Sequence, residues 1–464
     1  MIDGAWVLPS LIEATHVKRT VPTKAHDGLF IVLVCTTLLS SYPAFAQFTQ
    51  QGPKLMGTGA SGNAFQGRSV SLSADGNTAI VGGYGDNSGV GAAWIWTRSG
   101  GVWTQQSNKL VGSGAAGNAS QGVSVSLSAD GNTAIVGGPL DDSYTGAAWI
   151  WTRSGGVWTQ QGNKLVGSGA AVGSQVQQGS SVSLSSDGNT AIVGGPGDNS
   201  FAGAAWVWTR SGGVWTQQGN KLVGSFALGP SAQRGVSVSL SSDGNTAVVG
   251  GDFDGAGPGA AWVWTRSGGV WTQQGNKLVG SGAAGNAFQG WAVSLSSDGN
   301  TAFVGGYRDN SFAGAAWGWT RSGGVWTQQG NKLVGSGAAG NASQGVSVSL
   351  AGDGNTAIIG GSQDNGLAGA AWVWTRSGGV WTQRGTKLVG SGAAGNASQG
   401  VSVSISADSQ TAIVGGSDDN GGAGAAWVFA FAPSNPAVIP TFSGWALISL
   451  AGILALLGGI RIRA

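Results

Sequence analysis

The sequence predicts an all-β fold, a seven-bladed β-propeller built from four-stranded antiparallel blades. Three observations support this prediction: a motif that recurs seven times, strand-like alternation within each copy, and an unusual composition. Of the 464 residues, 88 are glycine and 22 are tryptophan. So much glycine without a collagen period indicates many tight turns, while the tryptophans supply the large apolar groups that disordered chains lack.

Two independent markers define the repeat. The aspartate of the VSLSADGNTAIVGG motif recurs at spacings of 55 to 57 residues, at Asp75, Asp130, Asp187, Asp243, Asp298, Asp353 and Asp408. A tryptophan of the GAAWIWTRSGGVW motif keeps the same register, at Trp94, Trp149, Trp206, Trp262, Trp317, Trp372 and Trp427. Self-similarity at a fixed period of this order is typical of propeller blades.

One repeat divides into four predicted strands. Residues 122–128 alternate apolar side chains with serines, which is the period of a strand. The Asp-Gly-Asn sequence at 130–132 favours a tight turn into a second strand at 132–138. Residues 146–153 and 157–161 supply the third and fourth strands. Four antiparallel strands per unit favour a propeller over an open β-solenoid, which is the alternative architecture.

The ends of the repeat region predict how the ring closes. The seventh repeat stops before its fourth strand, and the matching sequence stands before the first repeat, at Phe48, Thr49, Gln50 and Gln51. A strand from the N-terminal side would complete the last blade and remove an exposed sheet edge. An open solenoid would gain nothing from this arrangement, so it favours a closed propeller over residues 47–433.

Residues 1–46 predict a secretory signal peptide with an extended basic segment. An apolar run at 29–39 is followed by Ala44 and Ala46 in an A-x-A pattern, which places cleavage before Gln47. A membrane anchor is the alternative, but the run is too short to span a bilayer.

The remaining residue types argue against catalysis and against nucleic-acid binding. Beyond residue 46 the sequence has no histidine, glutamate or cysteine, three of the usual catalytic residue types. The net charge is +2 and the bases are spread along the repeats, so no basic stripe can follow a phosphate backbone. We expect a non-enzymatic protein with no nucleic-acid partner.

An arginine recurs near the hairpin between the third and fourth predicted strands. We expect these arginines to be solvated: Arg98, Arg153, Arg210, Arg266, Arg321 and Arg376.

The repeat resembles the bacterial FG-GAP repeat family, which is related to the propeller of integrin α chains. The resemblance covers about residues 48–432 and rests on the sequences QGVSVSLS, VGGP, GAAWVW and WTQQGNKL. It implies a seven-bladed propeller used outside the cell for adhesion or ligand binding. The chain departs from the family where glutamine replaces its aromatic residue, as at Gln121.

Calcium is the one cofactor that this resemblance raises. Some integrin blades bind it in an acidic loop between the first and second strands. Here that loop is shortened to residues 129–132, which hold one carboxylate, whereas calcium takes about six to eight oxygen ligands. We expect no cofactor, and calcium stays an open alternative.

Two further sets of residues are candidates for binding at one rim of the ring. Acidic loops after the second strand would suit a cation or a sugar, although turn formation by Asp and Asn explains them without a ligand and is favoured. They are Asp86-Asn87, Asp141-Asp142, Asp198-Asn199, Asp252 with Asp254, Asp309-Asn310, Asp364-Asn365 and Asp418-Asp419. Aromatic residues that break the repeat form the second set: Tyr84, Phe201, Trp291, Tyr307 and Phe312. For Trp291, replacement of a core valine is favoured over a rim site.

Residues 434–464 predict a linker and a C-terminal hydrophobic helix. The apolar stretch at 442–460 is close to the length that spans a bilayer, and the basic tail after it would stay in the cytoplasm. The segment resembles the IPTL-type C-terminal sorting signal of Gram-negative bacteria, through Ile439, Pro440, Thr441, Phe442, Trp445, Arg461 and Arg463. The resemblance implies a sorting peptidase in the inner membrane as a partner, with a transient membrane association. A permanent single-span anchor is the alternative.

Together these features predict a secreted or cell-surface protein of a Gram-negative bacterium, with adhesion or the binding of a surface glycan or protein ligand as its function. A purely structural component of an extracellular matrix or coat is the alternative. Aromatic residues that differ between copies favour binding, whereas the near-identity of the repeats favours the structural role.

Overall fold

The computed structural model describes residues 47–432, which form seven four-stranded antiparallel sheets. The predicted seven-bladed β-propeller is confirmed. The signal-peptide residues Ala44 and Ala46 and the whole C-terminal segment, including the sorting residues at 439–463, lie outside the described residues. Within residues 47–432, no helix is long and apolar enough to cross a membrane.

Each of the first six blades is a run of four consecutive strands. Blade 1 contains β2 (Ser69–Leu72), β3 (Thr78–Gly83), β4 (Ala92–Ser99) and β5 (Val102–Gln105). Blade 2 contains β6 (Ser124–Leu127), β7 (Thr133–Gly138), β8 (Ala147–Ser154) and β9 (Val157–Gln160). Blade 3 contains β10 (Ser181–Leu184), β11 (Thr190–Gly195), β12 (Ala204–Ser211) and β13 (Val214–Gln217). Blade 4 contains β14 (Ser237–Leu240), β15 (Thr246–Gly251), β16 (Ala260–Ser267) and β17 (Val270–Gln273). Blade 5 contains β18 (Ala292–Leu295), β19 (Thr301–Gly306), β20 (Ala315–Ser322) and β21 (Val325–Gln328). Blade 6 contains β22 (Ser347–Leu350), β23 (Thr356–Gly361), β24 (Ala370–Ser377) and β25 (Val380–Gln383).

Blade 7 combines strands from both ends of the described region. It contains β26 (Ser402–Ile405), β27 (Thr411–Gly416), β28 (Ala425–Ala432) and β1 (Gln47–Gln50). Phe48 of β1 lies opposite Phe431 of β28, with ring centroids 5.8 Å apart. The Oε1 atom of Gln50 accepts a hydrogen bond from the backbone N–H of Ser391, as Gln105 of β5 does from Thr58. In this arrangement β1 occupies the fourth-strand position of its blade.

A short loop with one helical turn joins the second and third strands of every blade. The α-helical turns are Asp86–Gly89, Asp141–Tyr144, Asp198–Phe201, Asp309–Phe312, Asp364–Leu367 and Asp419–Gly422, and blade 4 has a 3-10 turn at Asp254–Ala256. Left-handed residues interrupt these turns, as at Asn87 with φ of 50°. Asn tolerates this conformation better than most residues.

The hydrophobic core lies between neighbouring blades. All six residues of β7 are buried, because each blade packs on the next through both faces. One cluster joins Ile80 and Ile95 of blade 1 to Val125 and Trp149 of blade 2. Trp149 is fully buried against Gly112, where an added Cβ would lie 2.2 Å from the indole ring. The same tryptophan–glycine contact recurs in all seven blades and accounts for part of the high glycine content.

Hydrogen bonds near the axis run around the whole ring. The backbone N–H of Ala74 in blade 1 donates to the carbonyl of Ala129 in blade 2 over 2.9 Å. Equivalent bonds continue from blade to blade, until Ala407 of blade 7 donates to Ala74 over 3.0 Å. The serines of the first strands also link blades, because Ser71 Oγ accepts a hydrogen bond from the backbone N–H of Leu127 in blade 2. The serine alternation therefore satisfies backbone groups that face the channel.

Candidate functional site

The antiparallel order of the strands places two kinds of connection on opposite faces of the ring. Turns between the first and second strands and between the third and fourth strands lie on one face, which we call the turn face. Loops between the second and third strands and the segments that link blades lie on the other, the loop face.

The turn face repeats one hydrogen-bond pattern. In blade 2, Asp130 Oδ1 accepts bonds from Ser128 Oγ at 2.5 Å and from the backbone N–H of Asn132 at 2.9 Å. Burial alone would raise the pKa of Asp130, but these hydrogen bonds outweigh it and hold the pKa below its ordinary value. The carboxylate of this shortened loop is thus engaged by protein donors.

The repeated arginines also belong to this pattern, so the prediction that they are solvated is wrong. Arg153 is half-buried and stacks on Trp158, with its guanidinium carbon 5.4 Å from the ring centroid. Its Nε donates to Asn132 Oδ1 at 2.8 Å, and a terminal nitrogen donates to Gln106 Oε1 of blade 1 at 3.0 Å. These arginines tie each blade to the one before it.

On the loop face, each acidic loop places one carboxylate in a buried ion pair. Asp141 Oδ1 accepts a hydrogen bond from the backbone N–H of Ala116 at 2.7 Å, and Oδ2 lies 2.5 Å from Lys164 Nζ. The seven pairs are Asp86–Lys109, Asp141–Lys164, Asp198–Lys221, Asp254–Lys277, Asp309–Lys332, Asp364–Lys387 and Asp419–Lys54. Within residues 47–432, no three His, Cys, Asp or Glu side chains gather as metal ligands would. The favoured explanation by local turns is incomplete, since these carboxylates anchor one segment to another.

The loop face becomes irregular where blades 4 and 5 meet. Phe288 has its ring centroid 5.8 Å from that of Phe253 and 5.9 Å from that of Tyr307. Tyr307 in turn lies 6.2 Å from Phe312 and 4.9 Å from Trp291. The structure therefore brings together three of the five rim aromatics that the sequence singled out, and adds two that it did not.

The other rim aromatics lie elsewhere. Tyr84 stacks on Phe65 in blade 1, with centroids 5.0 Å apart, and Phe201 is 46% exposed on blade 3.

Trp291 is half-buried and lines the central channel rather than the core between blades. The favoured explanation of Trp291 as a core replacement is therefore wrong.

Arg308 completes the aromatic cluster. Its guanidinium carbon lies 4.3 Å from the centroid of Phe288, 5.0 Å from that of Phe312 and 5.6 Å from that of Tyr307. Arg308 is exposed, and within residues 47–432 its guanidinium makes no hydrogen bond or ion pair. It differs in this respect from Arg153, whose nitrogens donate to Asn132 of its own blade and to Gln106 of blade 1.

These side chains line a groove of about 600 Å³, within the size range of small-ligand sites. We call it the aromatic–arginine groove and define it by Phe253, Asn286, Phe288, Arg308, Asn310, Ser311 and Phe312. Sequence reasoning missed Phe253, Phe288 and Arg308. A signal was present for Phe288, because three other repeats have serine at that position.

Blade 4 buries two polar atoms that have no hydrogen-bond partner within residues 47–432, Asp252 Oδ1 and Arg234 Nε. Asp252 is 2% exposed, its Oδ1 has no hydrogen-bond donor among the described residues, and burial raises its pKa to about 6 against the opposing charge of Arg308. In the six other blades a glutamine at the position of Arg234 bonds to both the N–H and the carbonyl of a glycine, a pair of bonds that we call the glycine clamp. The Nε of Arg234 has no acceptor among the described residues, while a terminal nitrogen donates to the carbonyl of Ala202 at 3.0 Å. Departures from satisfied packing are typical of functional regions.

A second cavity lies beside the groove, at the loop-face end of the central channel. It measures about 440 Å³ and is lined by the first strands together with Arg68 and Trp291. Contact between Trp291 and Tyr307 connects the wall of this cavity with the aromatic cluster.

Comparison of the chain with protein-family models finds no match, and a search of curated proteins finds no relative.

Proposed function

We propose that this chain is an extracellular, non-catalytic propeller of the FG-GAP type that binds its ligand at the aromatic–arginine groove and acts in adhesion. The supporting observation is the gathering of aromatic rings, of which Phe253 and Phe312 are exposed, around Arg308, whose guanidinium has no hydrogen-bond partner within residues 47–432. Blade 1 has Phe65 at the position of Phe288, and blade 3 has Phe201 at the position of Phe312, but no other blade has an arginine at the position of Arg308. All seven blades keep the same fold. The scaffold therefore does not require this arginine.

The backbone conformation of Phe312 belongs to the shared loop. Its φ is 71°, in the left-handed region, and Tyr144, Phe201 and Leu367 adopt similar values at the equivalent position of other blades. Blades 1 and 7 have glycine there. Phe312→Gly therefore removes the aromatic ring and keeps a backbone conformation that glycine adopts readily.

The binding proposal is tested by arrays of glycans and proteins probed with the full chain. Phe312→Gly should abolish binding, while Phe201→Gly should retain it. Phe201 is a matched control, because it occupies the same loop position in blade 3 with a φ of 69°. Absence of any ligand, or equal loss in both variants, would contradict the assignment of function to this groove.

We also propose that the chain is exported by its N-terminal signal, with cleavage after Ala46, and delivered outward through the IPTL-type segment. Replacement of Pro440 and Thr441 by alanine tests this delivery by cell fractionation. The variant should stay in the inner membrane at its unprocessed size. Unchanged processing and unchanged surface delivery would show that the segment is not a sorting signal.

We further propose that β1 holds the ring closed. Phe48 is 5% exposed and packs with residues of blades 6 and 7. Phe48→Ala should lower the free energy of unfolding by about 3–5 kcal/mol, the usual cost of removing a buried Phe side chain. Gln47→Ala, at an exposed position of the same strand, is the control. Equal stability of the two variants in denaturant titrations would argue against closure by β1.

A structural component of a matrix or coat is the second candidate, and the uniform turn face favours it. The array experiment separates the two, because a coat protein needs no ligand at the groove.

A further inference from the structure

We propose that the aromatic–arginine groove binds a saccharide chain that carries carboxylate groups. This inference rests on the proposed function, since it assigns a ligand class to the same groove.

Exposed aromatic rings suit the apolar face of a sugar. Phe253 and Phe312 are each 36% exposed and line the groove from two different blades. The C–H groups on one face of a pyranose carry slight positive charge and pack on the negative face of an aromatic ring. Asn310 and Ser311 line the same groove and offer polar atoms to the hydroxyl groups at the ring edge.

Arg308 selects for negative charge. It is the only charged residue among the described residues that line the groove. Packing against three aromatic rings holds the guanidinium in place, and its donors are free of protein partners among the described residues. A planar guanidinium binds a carboxylate through two parallel hydrogen bonds. Because the cation is already positioned, little side-chain entropy is lost on binding.

The walls of the groove favour a saccharide over a peptide. The lining residues come from the loops at 253–256, 284–288 and 308–312. No strand edge within this lining is available for a peptide to extend a sheet, which is a common mode of peptide recognition.

The neighbouring cavity indicates a chain rather than a single sugar. Trp291 of blade 5 and Arg68 of blade 1 both line this space of about 440 Å³, so it also holds an aromatic ring and a cation. Since Trp291 contacts Tyr307, aromatic side chains continue from the groove to the channel. This path offers room for more than one sugar unit.

Isothermal titration of the full chain with a panel of carboxylated oligosaccharides, led by oligogalacturonate, tests the proposal. The matched ligand is the methyl ester of the same oligosaccharide, which keeps the shape and removes the charge. Loss of one charged hydrogen-bonded contact should weaken binding by about tenfold or more. Affinity for the acid should also fall with added salt, since exposed charges are screened over about 10 Å at 0.1 M ionic strength.

Arg308→Gln isolates the role of the cation, because blade 6 has Gln363 at the equivalent position. The variant should lose about tenfold or more in affinity for the acid and bind the methyl ester as before. Arg384→Gln is the control: Arg384 packs on Phe431 outside the groove and stands where other blades have glutamine. This control should leave both affinities unchanged.

Each other outcome overturns the inference. Tighter binding of an acidic peptide, or equal affinity for a sulfated oligosaccharide or for the methyl ester, would refute the ligand class. If such binding is still lost in Phe312→Gly, the proposed function stands. Failure of every saccharide and peptide to bind, or binding that is unchanged in Phe312→Gly, would overturn both.

Discussion

Blades 2 and 4 share their strands and anchors but differ in the polar groups that they bury. Both hold a buried Asp–Lys ion pair, and both pack a fully buried tryptophan on a glycine. In blade 2, Gln121 bonds to both the N–H and the carbonyl of Gly112, at 2.6 and 3.0 Å. Blade 4 has Arg234 at this position and the unpaired Asp252 in its next loop.

The difference shows which blade departs from the hydrogen-bond pattern that the other blades repeat. A buried polar group without a partner costs about 1–3 kcal/mol. Blade 2 has one such atom, Trp151 Nε1, which is shared with the equivalent tryptophan of four other blades. The unpaired carboxylate of Asp252 occurs in blade 4 alone among the described blades, next in sequence to Phe253 of the groove. Regular blades supply enough stability to hold an irregular one. We infer that blade 2 represents the scaffold and that blades 4 and 5 carry the specific site.

Breaking the Asp–Lys ion pair should lower the free energy of unfolding more than any other change considered below, and by the same amount in blades 2 and 4. Asp141→Ala and Asp254→Ala each leave a lysine without its partner and a backbone N–H without its acceptor. Each should lower the free energy of unfolding by about 3–5 kcal/mol in denaturant titrations. Asp142→Asn, at an exposed position of the same loop, is the control. If Asp254→Ala lowered the free energy of unfolding much less than Asp141→Ala does, the two blades would not depend on the same ion pair.

The pH dependence of stability should distinguish blade 4 from blade 2. Burial raises the pKa of Asp252 to about 6, so the folded protein holds this proton more tightly than the unfolded chain does. The corresponding stability is present below pH 4 and is lost as the pH rises through 6, by about 2–3 kcal/mol.

Asp252→Ser should remove this loss, since blades 6 and 7 have serine at the position. Five turn-face aspartates have pKa values below the ordinary value, and they are Asp75, Asp130, Asp187, Asp243 and Asp298. The stability that they contribute is therefore lost only at lower pH. Unfolding titrations between pH 4 and 7 therefore isolate Asp252. If the free energy of unfolding of wild type and of Asp252→Ser changed with pH in the same way, Asp252 would not be the source of the pH dependence.

Exchanging the clamp residue should have opposite, smaller effects in the two blades. Gln121→Ala removes two buried hydrogen bonds and should cost about 1–2 kcal/mol. Arg234→Gln restores the clamp and removes an unpaired Nε, so it should stabilise blade 4 by about 1 kcal/mol. Thermal unfolding measures both changes, and destabilisation by Arg234→Gln would mean that blade 4 is adapted to its arginine.

The periodic features were sufficient to predict the fold, because strand alternation and turn residues are local properties. Some contacts between distant residues can also be recognised in the sequence by a constant spacing. Aspartate and lysine of six ion pairs are separated by 23 residues, a constant spacing that could have predicted the pairing. The bond from Arg153 to Gln106 of blade 1 also recurs around the ring, at separations of 47 to 49 residues, but this spacing varies with the length of the repeat and is a weaker signal.

The site could be predicted only in part. Tyr307 and Phe312 stand out as aromatic residues that break the repeat. Their neighbour Phe253 comes from blade 4, and the pairing depends on how two blades pack. Arg308 occupies a variable loop position, and its charge becomes informative only when three rings are found around it.

Replacing the groove by residues of other blades tests the division between scaffold and site most directly. The combined variant is Phe253→Leu, Arg308→Gln and Phe312→Gly, each taken from an equivalent position of another blade, and it leaves the buried Phe288 in place. Wild type and variant are compared by thermal unfolding and by titration with oligogalacturonate. We predict that the variant unfolds at the same or a higher temperature and no longer binds. Unfolding at a much lower temperature, or binding equal to that of wild type, would contradict the assignment of recognition to this groove.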